Sequence, residues 1–340
     1  MIIITGDLMI DQYGRTIDYM RVSITNRCNL RCIYCMPPGF SFPAGDPLSY
    51  QEILRICEAA VECGIRFIKI TGGEPLLRDG CPAFIARLKK IAGIEKVTIT
   101  TNGVLLTKHL DALLDAGLDG VNISLDSLDR ERLKGITSFD VLESVMEAVY
   151  ESVKQHINVK INAVLTGADQ ERVLLTPGMR REWKELVELA RHVPLGVRFI
   201  EMMPIGYGRS FTGSGNDMLL DYLKAEYAGV ERDEQRHGQG PAVYYTIPGF
   251  KGTVGFISAM SGRFCAVCNR IRLTADGFLK PCLCYKEGID LKPMLQQDEE
   301  IKRGIEQAIA MKPYSHCFDR VQDAEEPHVL EQDPMIAIGG

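Results

Sequence analysis

Three cysteines stand within eleven residues of this chain, Asn26-Arg27-Cys28-Asn29-Leu30-Arg31-Cys32-Ile33-Tyr34-Cys35-Met36. Three residues separate the first pair of cysteines, two separate the second pair, and no histidine lies nearby. A 4Fe-4S cluster takes one thiolate per iron, so three protein ligands would leave one iron open to another molecule. Structural zinc is the alternative, but it usually fills all four of its positions with Cys or His. The spacing therefore favours an open iron–sulfur site over zinc or chance clustering.

The composition favours a cytoplasmic enzyme with a large core. The chain has 340 residues, 46% hydrophobic and 25% charged, which suffices for one large core and a smaller appendage. Its eleven cysteines are an odd number in a sequence without a secretory leader pattern, which favours metal-bound and free thiols over disulfides. No apolar run approaches membrane-spanning length. The net charge of -6 gives no general reason to expect nucleic acid or a membrane as partner, so local Arg and Lys would have to bind any anionic substrate.

Strand-like and helical patterns alternate along most of the chain. Apolar runs rich in Val and Ile, as in parallel strands buried on both faces, cover residues 20–25, 67–71, 96–101, 120–125, 158–165 and 196–203. Amphipathic patterns cover residues 50–63, 81–91, 107–116, 140–153 and 181–191, with Ser49, Thr107 and Ser138 as predicted helix starts. Six repeated βα units predict an α/β fold with a parallel sheet, arranged as a partial TIM-type (β/α)6 barrel.

The pattern changes in the last third of the chain. A glycine-rich stretch at residues 207–216 interrupts the alternation before one more helical pattern at residues 217–227. After Gly238-Gln239-Gly240-Pro241 the sequence predicts hairpins, such as residues 270–283 around Ala275-Asp276-Gly277. We therefore expect a barrel domain over residues 1–240 and a smaller C-terminal domain over residues 241–340.

Polar motifs follow the predicted strands at the end where the active sites of such barrels lie. The second strand ends in Thr71-Gly72-Gly73-Glu74-Pro75, where paired glycines let the backbone approach a ligand and Glu74 could accept from an ammonium group. The third and fourth strands end in Thr100-Thr101-Asn102-Gly103 and Asn122-Ile123-Ser124-Leu125-Asp126. Their hydroxyl groups suit ribose or phosphate, although Ser and Thr at strand ends are more often ordinary turn residues.

A second group of cysteines lies far downstream. Cys265-Ala266-Val267-Cys268 is followed after thirteen residues by Cys282, and Cys284 stands two positions further on. This set fits either a second open three-thiolate site or a four-cysteine zinc site, whereas a redox dithiol would be expected to open a helix. Between the cysteines, Arg270 and Arg272 would face one side of a strand. Two guanidiniums there would bind phosphate well, and a solvated strand face is the alternative.

Both groups of cysteines resemble known signatures. The first, with Tyr34 just before its last cysteine, resembles the signature of radical S-adenosylmethionine enzymes, in which the open iron chelates the methionine amine and carboxylate. The second, with its thirteen-residue gap, makes the chain similar to one family of that superfamily, the GTP 3′,8-cyclases of molybdenum cofactor biosynthesis. The similarity runs from Arg21-Val22-Ser23-Ile24-Thr25 to Met335-Ile336-Ala337-Ile338-Gly339-Gly340. It implies that this double-glycine tail enters the active site and that Cys284 is a spare cysteine.

The resemblance also implies roles for individual residues. It implies two 4Fe-4S clusters, a catalytic one on Cys28, Cys32 and Cys35 and a second one, in the C-terminal domain, on Cys265, Cys268 and Cys282. It places five residues at S-adenosylmethionine, namely Tyr34, Gly73, Glu74, Ser124 and Met203. It places seven at GTP, with the guanine against the second cluster and the last two also catalytic, namely Arg21, Lys69, Thr100, Lys160, Arg198, Arg270 and Arg272.

The implied reaction is a radical cyclisation. An electron from an external donor such as flavodoxin or ferredoxin cleaves S-adenosylmethionine, and the resulting 5′-deoxyadenosyl radical removes hydrogen from carbon 3′ of GTP. The ribosyl radical attacks carbon 8 of guanine, and a further electron and proton give (8S)-3′,8-cyclo-7,8-dihydroguanosine 5′-triphosphate. This first step of molybdopterin synthesis would supply cyclic pyranopterin synthase. A homodimer is a further expectation.

Two of the implied GTP residues lie inside apolar predicted strands. Lys160 and Arg198 would be costly to bury there without an anionic partner. A triphosphate inside the barrel would satisfy both cations, and a structural salt bridge is the alternative.

Two positions depart from the family pattern. Phe67 stands where many relatives carry a basic residue two positions before Lys69, so either Arg66 compensates or the triphosphate is held with one charge fewer. Gly135-Ile136-Thr137-Ser138 lacks the Arg-rich turn that is usual there. Both departures bear on affinity for GTP more than on reaction class. Two other functions stay open, a radical enzyme that modifies a peptide and a non-catalytic iron–sulfur or zinc scaffold.

Overall fold

The computed structural model describes residues 3–5, 8–36, 39–41, 46–164, 177–211, 215–318 and 330–339. Within these residues it contains fourteen strands and eight α-helices. In chain order they are β1 (Ile3–Thr5), β2 (Leu8–Ile10), β3 (Tyr19–Ser23), α1 (Tyr50–Glu62), β4 (Phe67–Thr71), α2 (Cys81–Leu88), β5 (Lys96–Thr101), α3 (Leu106–Asp115), β6 (Gly120–Ser124), α4 (Arg130–Thr137), α5 (Leu142–Lys154), β7 (Asn158–Val164), α6 (Pro177–His192), β8 (Gly196–Ile200), α7 (Asn216–Glu226), β9 (Glu231–Asp233), β10 (Val243–Thr246), β11 (Thr253–Ile257), β12 (Arg270–Leu273), β13 (Phe278–Lys280), β14 (Ile289–Asp290) and α8 (Asp298–Ala310).

One sheet of twelve strands organises the molecule. Its strand order is β14-β13-β12-β3-β4-β5-β6-β7-β8-β11-β10-β9. Strands β3 to β8 follow one another in sequence, pair in parallel and are separated by helices or loops. The predicted α/β fold with a partial barrel is therefore confirmed.

The C-terminal part of the chain extends this sheet on both sides. Strand β11 pairs in parallel with β8, and β12 pairs in parallel with β3. Strands β12 and β13 form the antiparallel hairpin that the sequence predicts there. Strands from beyond residue 240 therefore continue the barrel at both of its edges. The division into domains at that residue stays a prediction.

The core lies between one face of the sheet and a layer of helices. Helices α8, α1, α2, α3 and α5 lie side by side in that order. In β4, Ile68 and Ile70 are buried in the main core, and Lys69 points to the opposite face because successive side chains of a strand alternate. This alternation leaves an apolar outer face, covered by the helices, and a polar inner face.

The helix starts show where local patterns succeed and fail. Ser49 begins α1 as predicted, with a capping box in which Glu52 bonds back to the Ser49 backbone. Helix α3 begins at Leu106, so Thr107 lies inside its first turn and that prediction is wrong. Ser138 is also wrong as a helix start, because it ends α4 with a φ of +68°.

Two helices lie outside the predicted set. Helix α4 has few apolar residues, and only Leu133, Ile136 and Thr137 of it are buried. Helix α8 lies in the part where the sequence predicted hairpins.

Some predicted segments include residues that the structure does not describe, namely Leu165, residues 212–214 and Gly340. Among the residues that are described, no helix combines the length and the apolar character needed to cross a membrane.

Candidate active site

The two groups of cysteines lie at opposite ends of the same parallel strands. We call Cys28, Cys32 and Cys35 the first trio and Cys265, Cys268 and Cys282 the second trio. The first trio follows the carboxyl end of β3, whereas the second flanks the β12–β13 hairpin at the amino end of β12. Since β12 and β3 are parallel and in register, the trios lie beyond opposite ends of these strands. We call the side where the parallel strands end the carboxyl edge. The five residues of β3 span about 16 Å at 3.3 Å per residue.

The thiols of the first trio are free and close enough to influence one another. Burial raises the pKa of Cys32, and Asp126, Cys35 and Cys28 raise it further. Burial also raises the pKa of Cys35 to about 12, with a contribution from Cys28. Three thiolates therefore form here only when the positive charge of a bound metal stabilises them. Thiolate donors fit an iron–sulfur cluster. The donors are not arranged around a single ion, since among the described residues no group of three or more His, Cys, Asp and Glu is set to hold one. The fit to a cluster therefore rests on the thiolate type of the donors.

Hydrogen bonds surround the first cysteine of this trio. The Leu30 N–H donates to Cys28 Sγ at 3.4 Å, and Asn102 Nδ2 donates to the same sulfur at 3.8 Å. Donors to a ligating sulfur orient it and tune the metal centre that it binds. Asn102 had no predicted role, although its place just after β5 was a usable signal.

The glycine pair after β4 packs directly against the loop that carries the first trio. Gly73 N–H donates to Thr25 O at 2.7 Å, and Glu74 N–H donates to Arg27 O at 2.8 Å. A Cβ added to Gly73 would lie 2.3 Å from Arg27 O, so this close approach requires glycine. The predicted motif therefore fixes the cysteine loop against the end of β4.

Glu74 is fully buried, and its carboxylate accepts hydrogen bonds from other residues of the chain. Its carboxylate accepts from Leu76 N–H at 3.0 Å, Thr101 Oγ1 at 2.7 Å and Asn102 N–H at 2.7 Å. These bonds join the carboxyl ends of β4 and β5. The predicted contact between Glu74 and an ammonium group stays a prediction, while the observed role of the carboxylate is to brace two strand ends.

Tyr34 connects the cysteine loop to the next strands. Its hydroxyl donates to Asp126 Oδ2 at 2.7 Å, and Asp126 Oδ1 accepts from Val164 N–H at 2.8 Å. Burial raises the pKa of Asp126 to about 6. Asp126 had no predicted role of its own, although it lies in the quoted motif after β6. The pair holds the first trio in place from the side of β6 and β7.

The other residues predicted at S-adenosylmethionine lie on the same edge of the sheet. Ser124 ends β6, and Met203 follows β8. Met203 packs beside a small apolar cluster that we call the tail cluster, formed by Ile205, Cys284, Phe318, Leu330 and Ile338. The structure thus brings Tyr34, Gly73, Ser124 and Met203 to one edge, and their contact with S-adenosylmethionine stays a prediction.

Cations gather on the inner face of the barrel. We call this set the inner cations: Arg21, Lys69, Lys160, Arg198, Arg270 and Arg272. Arg272, Arg21 and Lys69 are aligned across three adjacent strands. Burial lowers the pKa of Lys69 far below its usual value, and four other inner cations lower it further. Burial, followed by its arginine neighbours, likewise lowers the pKa of Arg272. The interior therefore favours a polyanion, which would relieve the repulsion among these charges.

The bonds of two inner cations test the salt-bridge alternative. Lys160 Nζ donates to the carbonyl oxygen of His237, and Arg198 Nη2 donates to Asn122 Oδ1. Arg198 is buried, and within the described part of the chain its Nε has no hydrogen-bond partner, as is true of Arg272 Nη1. Among described residues neither Lys160 nor Arg198 forms a salt bridge, so a bound anion accounts better for the buried Arg198 and the half-buried Lys160.

A cavity of about 440 Å³ opens at the amino end of the strands. Its wall includes the first residue of each strand from β3 to β7. Lys69, Lys160 and Arg198 line it from the barrel, and the loop between β9 and β10 lines it from the opposite side. Thr98 lines it as well, whereas the predicted Thr100 lies two residues nearer the carboxyl edge.

Phe67 lines the same cavity, and Arg66 does not replace the missing basic residue. Arg66 Nη1 donates to the carbonyl oxygens of Val61 at 2.8 Å and of Ile65 at 3.1 Å. These carbonyls belong to the end of α1 and the turn after it, outside the inner face. Of the two options that the sequence leaves, the structure favours an interior with one charge fewer.

The second trio has basic neighbours. Burial raises the pKa of Cys282, and the nearby Cys268 and Cys265 raise it further. Burial would raise the pKa of Cys268 too, but Arg270 and Lys312 outweigh it and lower that pKa to about 6. Lys312 is buried, and its Nζ donates to the carbonyl oxygens of Arg270 and Pro281. Lys312 could not be predicted from local sequence, because it reaches this site only through the placement of α8.

Cys284 has a different neighbour from the second trio. Its Sγ lies 3.8 Å from that of Cys317, and both thiols are free. Cys284 also belongs to the tail cluster. Its predicted status as a spare cysteine is untested.

Comparison with known proteins gives the class and then the family. Residues 22–172 match the Radical SAM superfamily, and residues 195–318 match Molybdenum Cofactor Synthesis C. The solved structure of Streptococcus suis SuiB bound to S-adenosylmethionine has a TM-score of 0.62 at 14% identity, covering 94% of this chain and 78% of SuiB. Native anSMEcpe with bound AdoMet has a TM-score of 0.56 at 14% identity, covering 94% of this chain and 93% of that one. These structures share the fold. The family match over residues 22–172 makes the chain a radical S-adenosylmethionine enzyme.

The curated relatives are closer. A GTP 3′,8-cyclase of Clostridium perfringens is 40% identical over 337 residues, covering 98% of this chain and 100% of the relative. Those of Petrotoga mobilis and Heliobacterium modesticaldum are each 42% identical, covering 91% and 95% of this chain and 95% and 99% of their own lengths. The chain belongs to the GTP 3′,8-cyclase family. The predicted family is confirmed, and membership makes S-adenosylmethionine and an iron–sulfur cluster its cofactors.

Proposed function

We propose that this enzyme converts GTP into (8S)-3′,8-cyclo-7,8-dihydroguanosine 5′-triphosphate, the first step of molybdenum cofactor biosynthesis. The observation that carries the proposal is the set of inner cations between two cysteine trios, in a chain that spans the full length of its cyclase relatives. A nucleoside triphosphate suits this interior, whereas a neutral peptide would leave buried cations without anions.

The carboxyl edge of the sheet is the end at which the radical would be made. Cys28, Cys32 and Cys35 would hold the catalytic cluster, whose open iron binds S-adenosylmethionine. When bound, this pair of cofactors supplies the 5′-deoxyadenosyl radical by reductive cleavage. The contribution of the chain itself is positional, because Glu74 braces β4 against β5 and Asp126 holds Tyr34 in the cysteine loop.

The barrel interior would position the substrate. Phosphates would bind the inner cations, whose mutual repulsion they would relieve, and the guanine would lie towards the second trio. This arrangement leaves the ribose between the two edges of the sheet, where carbon 3′ can face the carboxyl edge. An interior filled by the nucleotide would also keep a carbon radical away from water and side reactions.

A second 4Fe-4S cluster on Cys265, Cys268 and Cys282 is part of the same proposal. Its support is the mutual proximity of these thiols and the two cations beside them, Arg270 and Lys312, since positive groups stabilise thiolate ligands. Zinc on the same cysteines is the competing assignment.

The remaining partners follow from the chemistry of the reaction. Reductive cleavage needs a one-electron donor, for which we propose a flavodoxin or ferredoxin. The cyclised nucleotide would be consumed by cyclic pyranopterin synthase. A cytoplasmic location is proposed from the free thiols, because such a compartment keeps thiols reduced, and a homodimer is proposed as the assembly.

Anaerobic turnover tests the proposed reaction. The reconstituted enzyme is incubated with S-adenosylmethionine and reductant, with GTP, with ATP or without nucleotide. We expect 5′-deoxyadenosine to form at least tenfold faster with GTP than in the other two arms, together with a cyclised nucleotide of unchanged phosphate count. Equal 5′-deoxyadenosine formation in all three arms would contradict the proposal.

The second cluster is tested by iron analysis and Mössbauer spectroscopy of the same preparation. Two 4Fe-4S clusters per chain are expected, and the Arg270→Ala variant should retain the catalytic cluster while binding GTP more weakly. One cluster plus one zinc ion would overturn the two-cluster assignment.

A further inference from the structure

Residues 330–339 return to the barrel and lie beside the carboxyl ends of its strands, where the first trio lies. Leu330 forms a β-bridge with Tyr285. The Glu331 N–H donates to Cys284 O at 2.9 Å, and its carbonyl oxygen accepts from Arg209 Nη2 at 2.8 Å. This segment, which we call the tail, therefore enters its site between the loop after β13 and the loop after β8.

A buried ion pair anchors the start of the tail. Lys280 at the end of β13 and Glu331 are each 2% exposed, and Lys280 Nζ donates to Glu331 Oε2. The same ammonium donates to the carbonyl oxygens of Tyr285 at 2.7 Å and Lys286 at 3.3 Å. The other carboxylate oxygen accepts from Asp333 N–H at 2.8 Å. Both charges are thus surrounded by partners, which a buried pair needs in order to be tolerated.

The anchor leads directly to close packing of the tail. Gly206, with a φ of +49°, lies under the tail, and a Cβ there would be 2.6 Å from Asp333 O and 2.8 Å from Pro334 Cα. Ile338 is buried in the tail cluster with Ile205 and Phe318. The chain beyond the anchor therefore has a fitted path in place of a free end.

The path ends at the first trio. The backbone of Ile336 lies close enough to Cys35 to lower the pKa of its thiol, against the larger effect of burial. A Cβ on Gly339, whose φ is +79°, would be 2.8 Å from Ser23 Cβ and 3.6 Å from Thr71 Cγ2. Ser23 and Thr71 are the last residues of β3 and β4, so the tip of the tail lies at the carboxyl ends of these strands, next to the first trio.

We propose that Lys280 and Glu331 are positioning residues for the reaction, because their ion pair fixes the tail so that Gly339 lies against the ends of β3 and β4. Lys280 stands opposite Arg272 and shares its face of the sheet, but its ammonium is bonded to Glu331 and to two carbonyl oxygens. The effect of the pair on catalysis is transmitted by the tail backbone. This inference rests on the function proposed above. It adds an anchor that connects the β12–β13 hairpin, next to Cys282, with the strand ends beside the first trio.

Hydrogen exchange on the full-length protein tests the anchor without turnover. Glu331→Gln removes the charge with little change in shape, and Lys280→Met removes the ammonium. We expect amide exchange of the peptides covering residues 332–339 to accelerate at least tenfold in both variants, with β3 to β8 unchanged. The matched control is Lys184→Met, which breaks the exposed pair between α6 and α7 formed with Glu226 and should leave tail exchange unchanged.

Turnover then separates positioning from a general structural role. Lys280→Met and Glu331→Gln are each expected to lower kcat at least tenfold with little change in KM for GTP. In a Gly339→Ala background, where the tail tip is already displaced, the same substitutions should add less than a twofold loss. The proposed role of the ion pair would be overturned if the losses in kcat multiplied in the combined variants. It would also be overturned if exchange of the tail amides did not change.

Exchange in β12 and β13 provides a further check, because acceleration there would show that Lys280 stabilises the hairpin and not the tail. The two proposals can also fail separately. A wild-type protein that shows the exchange pattern but no GTP-dependent turnover would overturn the proposed function and the catalytic meaning of the anchor. Normal turnover in an unanchored variant would overturn the anchor alone.

Discussion

Arg272 on β12 and Arg21 on β3 stand opposite each other on adjacent parallel strands. Burial, and then the nearby Arg270 and Arg198, lower the pKa of Arg21 to about 10, and Arg21 in turn helps to lower the pKa of Arg272. Two like charges that are paired and buried destabilise the ligand-free protein. The same geometry becomes favourable when a polyphosphate lies against both guanidiniums.

Removing one of these charges should therefore trade stability against affinity. In Arg272→Met we expect the ligand-free protein to be as stable as the wild type or up to about 2 kcal/mol more stable. Its Kd for GTP should rise at least tenfold, or about 1.4 kcal/mol. Urea unfolding and anaerobic calorimetry measure the two quantities. The control Lys108→Met, on the exposed face of α3, should change neither, and a destabilised variant with unchanged GTP affinity would contradict this account.

The two trios should lose metal independently. Cys28→Ser is expected to abolish cleavage of S-adenosylmethionine and remove about half of the bound iron, while Cys268→Ser should also remove about half but retain S-adenosylmethionine binding. Iron and sulfide analysis with absorption spectroscopy checks this. Cys57→Ala, at a buried thiol in the core, should keep all iron. Loss of both clusters in either single variant would show that the sites depend on each other.

A methyl group on Gly73 should displace the cysteine loop. Gly73→Ala places a Cβ 2.3 Å from Arg27 O, so the loop must move, and we expect at least a tenfold loss of S-adenosylmethionine binding. Gly135→Ala is the matched control, because Gly135 lies in α4 and a Cβ there meets nothing within 4 Å. It should be neutral or stabilise by up to about 1 kcal/mol. Equal binding by both variants would remove the steric argument.

Stability should fall with rising pH because of Asp126. Its folded-state pKa of about 6 lies above the ordinary aspartate value of 3.8, so the folded protein holds a proton that the unfolded chain has already released. The stabilisation is present at low pH and is lost as pH rises through about 6. In Asp126→Asn this loss disappears, so the variant should gain about 2 kcal/mol relative to the wild type between pH 4.5 and 7.5. Urea unfolding at both pH values gives the difference, and parallel curves would exclude Asp126 as the titrating group.

The sequence predicted best where local pattern and burial agree. The runs at 67–71 and 96–101 match β4 and β5 at both ends, because a strand in the middle of a parallel sheet is a short run of β-branched residues that stands out from its flanks. Ser138 shows the limit, since a serine beside an amphipathic pattern suits a helix start as well as the left-handed residue that ends one. Helix α4 was missed because its apolar stripe is too short to give a clear period.

Long-range placement could not be predicted from local pattern. The pairing of β12 with β3 joins residues from opposite ends of the chain, and no local feature of either strand specifies its neighbour. Lys312 reaches the second trio only because α8 packs beside α1. The ion pair of Lys280 and Glu331 likewise depends on how the tail returns. The site residues were found because their spacing resembles a known family, whereas the residues that hold them in place were not.

Strands β3 and β8, which bound the run of six parallel strands, are both covered by strands from the last third of the chain. During synthesis these two edges stay unpaired until residues 253–273 have left the ribosome. An open strand edge is a template for pairing with another chain. The C-terminal third is therefore this protein's own protection against aggregation as a nascent chain, and a chain cut short before β11 should be found in inclusion bodies or bound to chaperones.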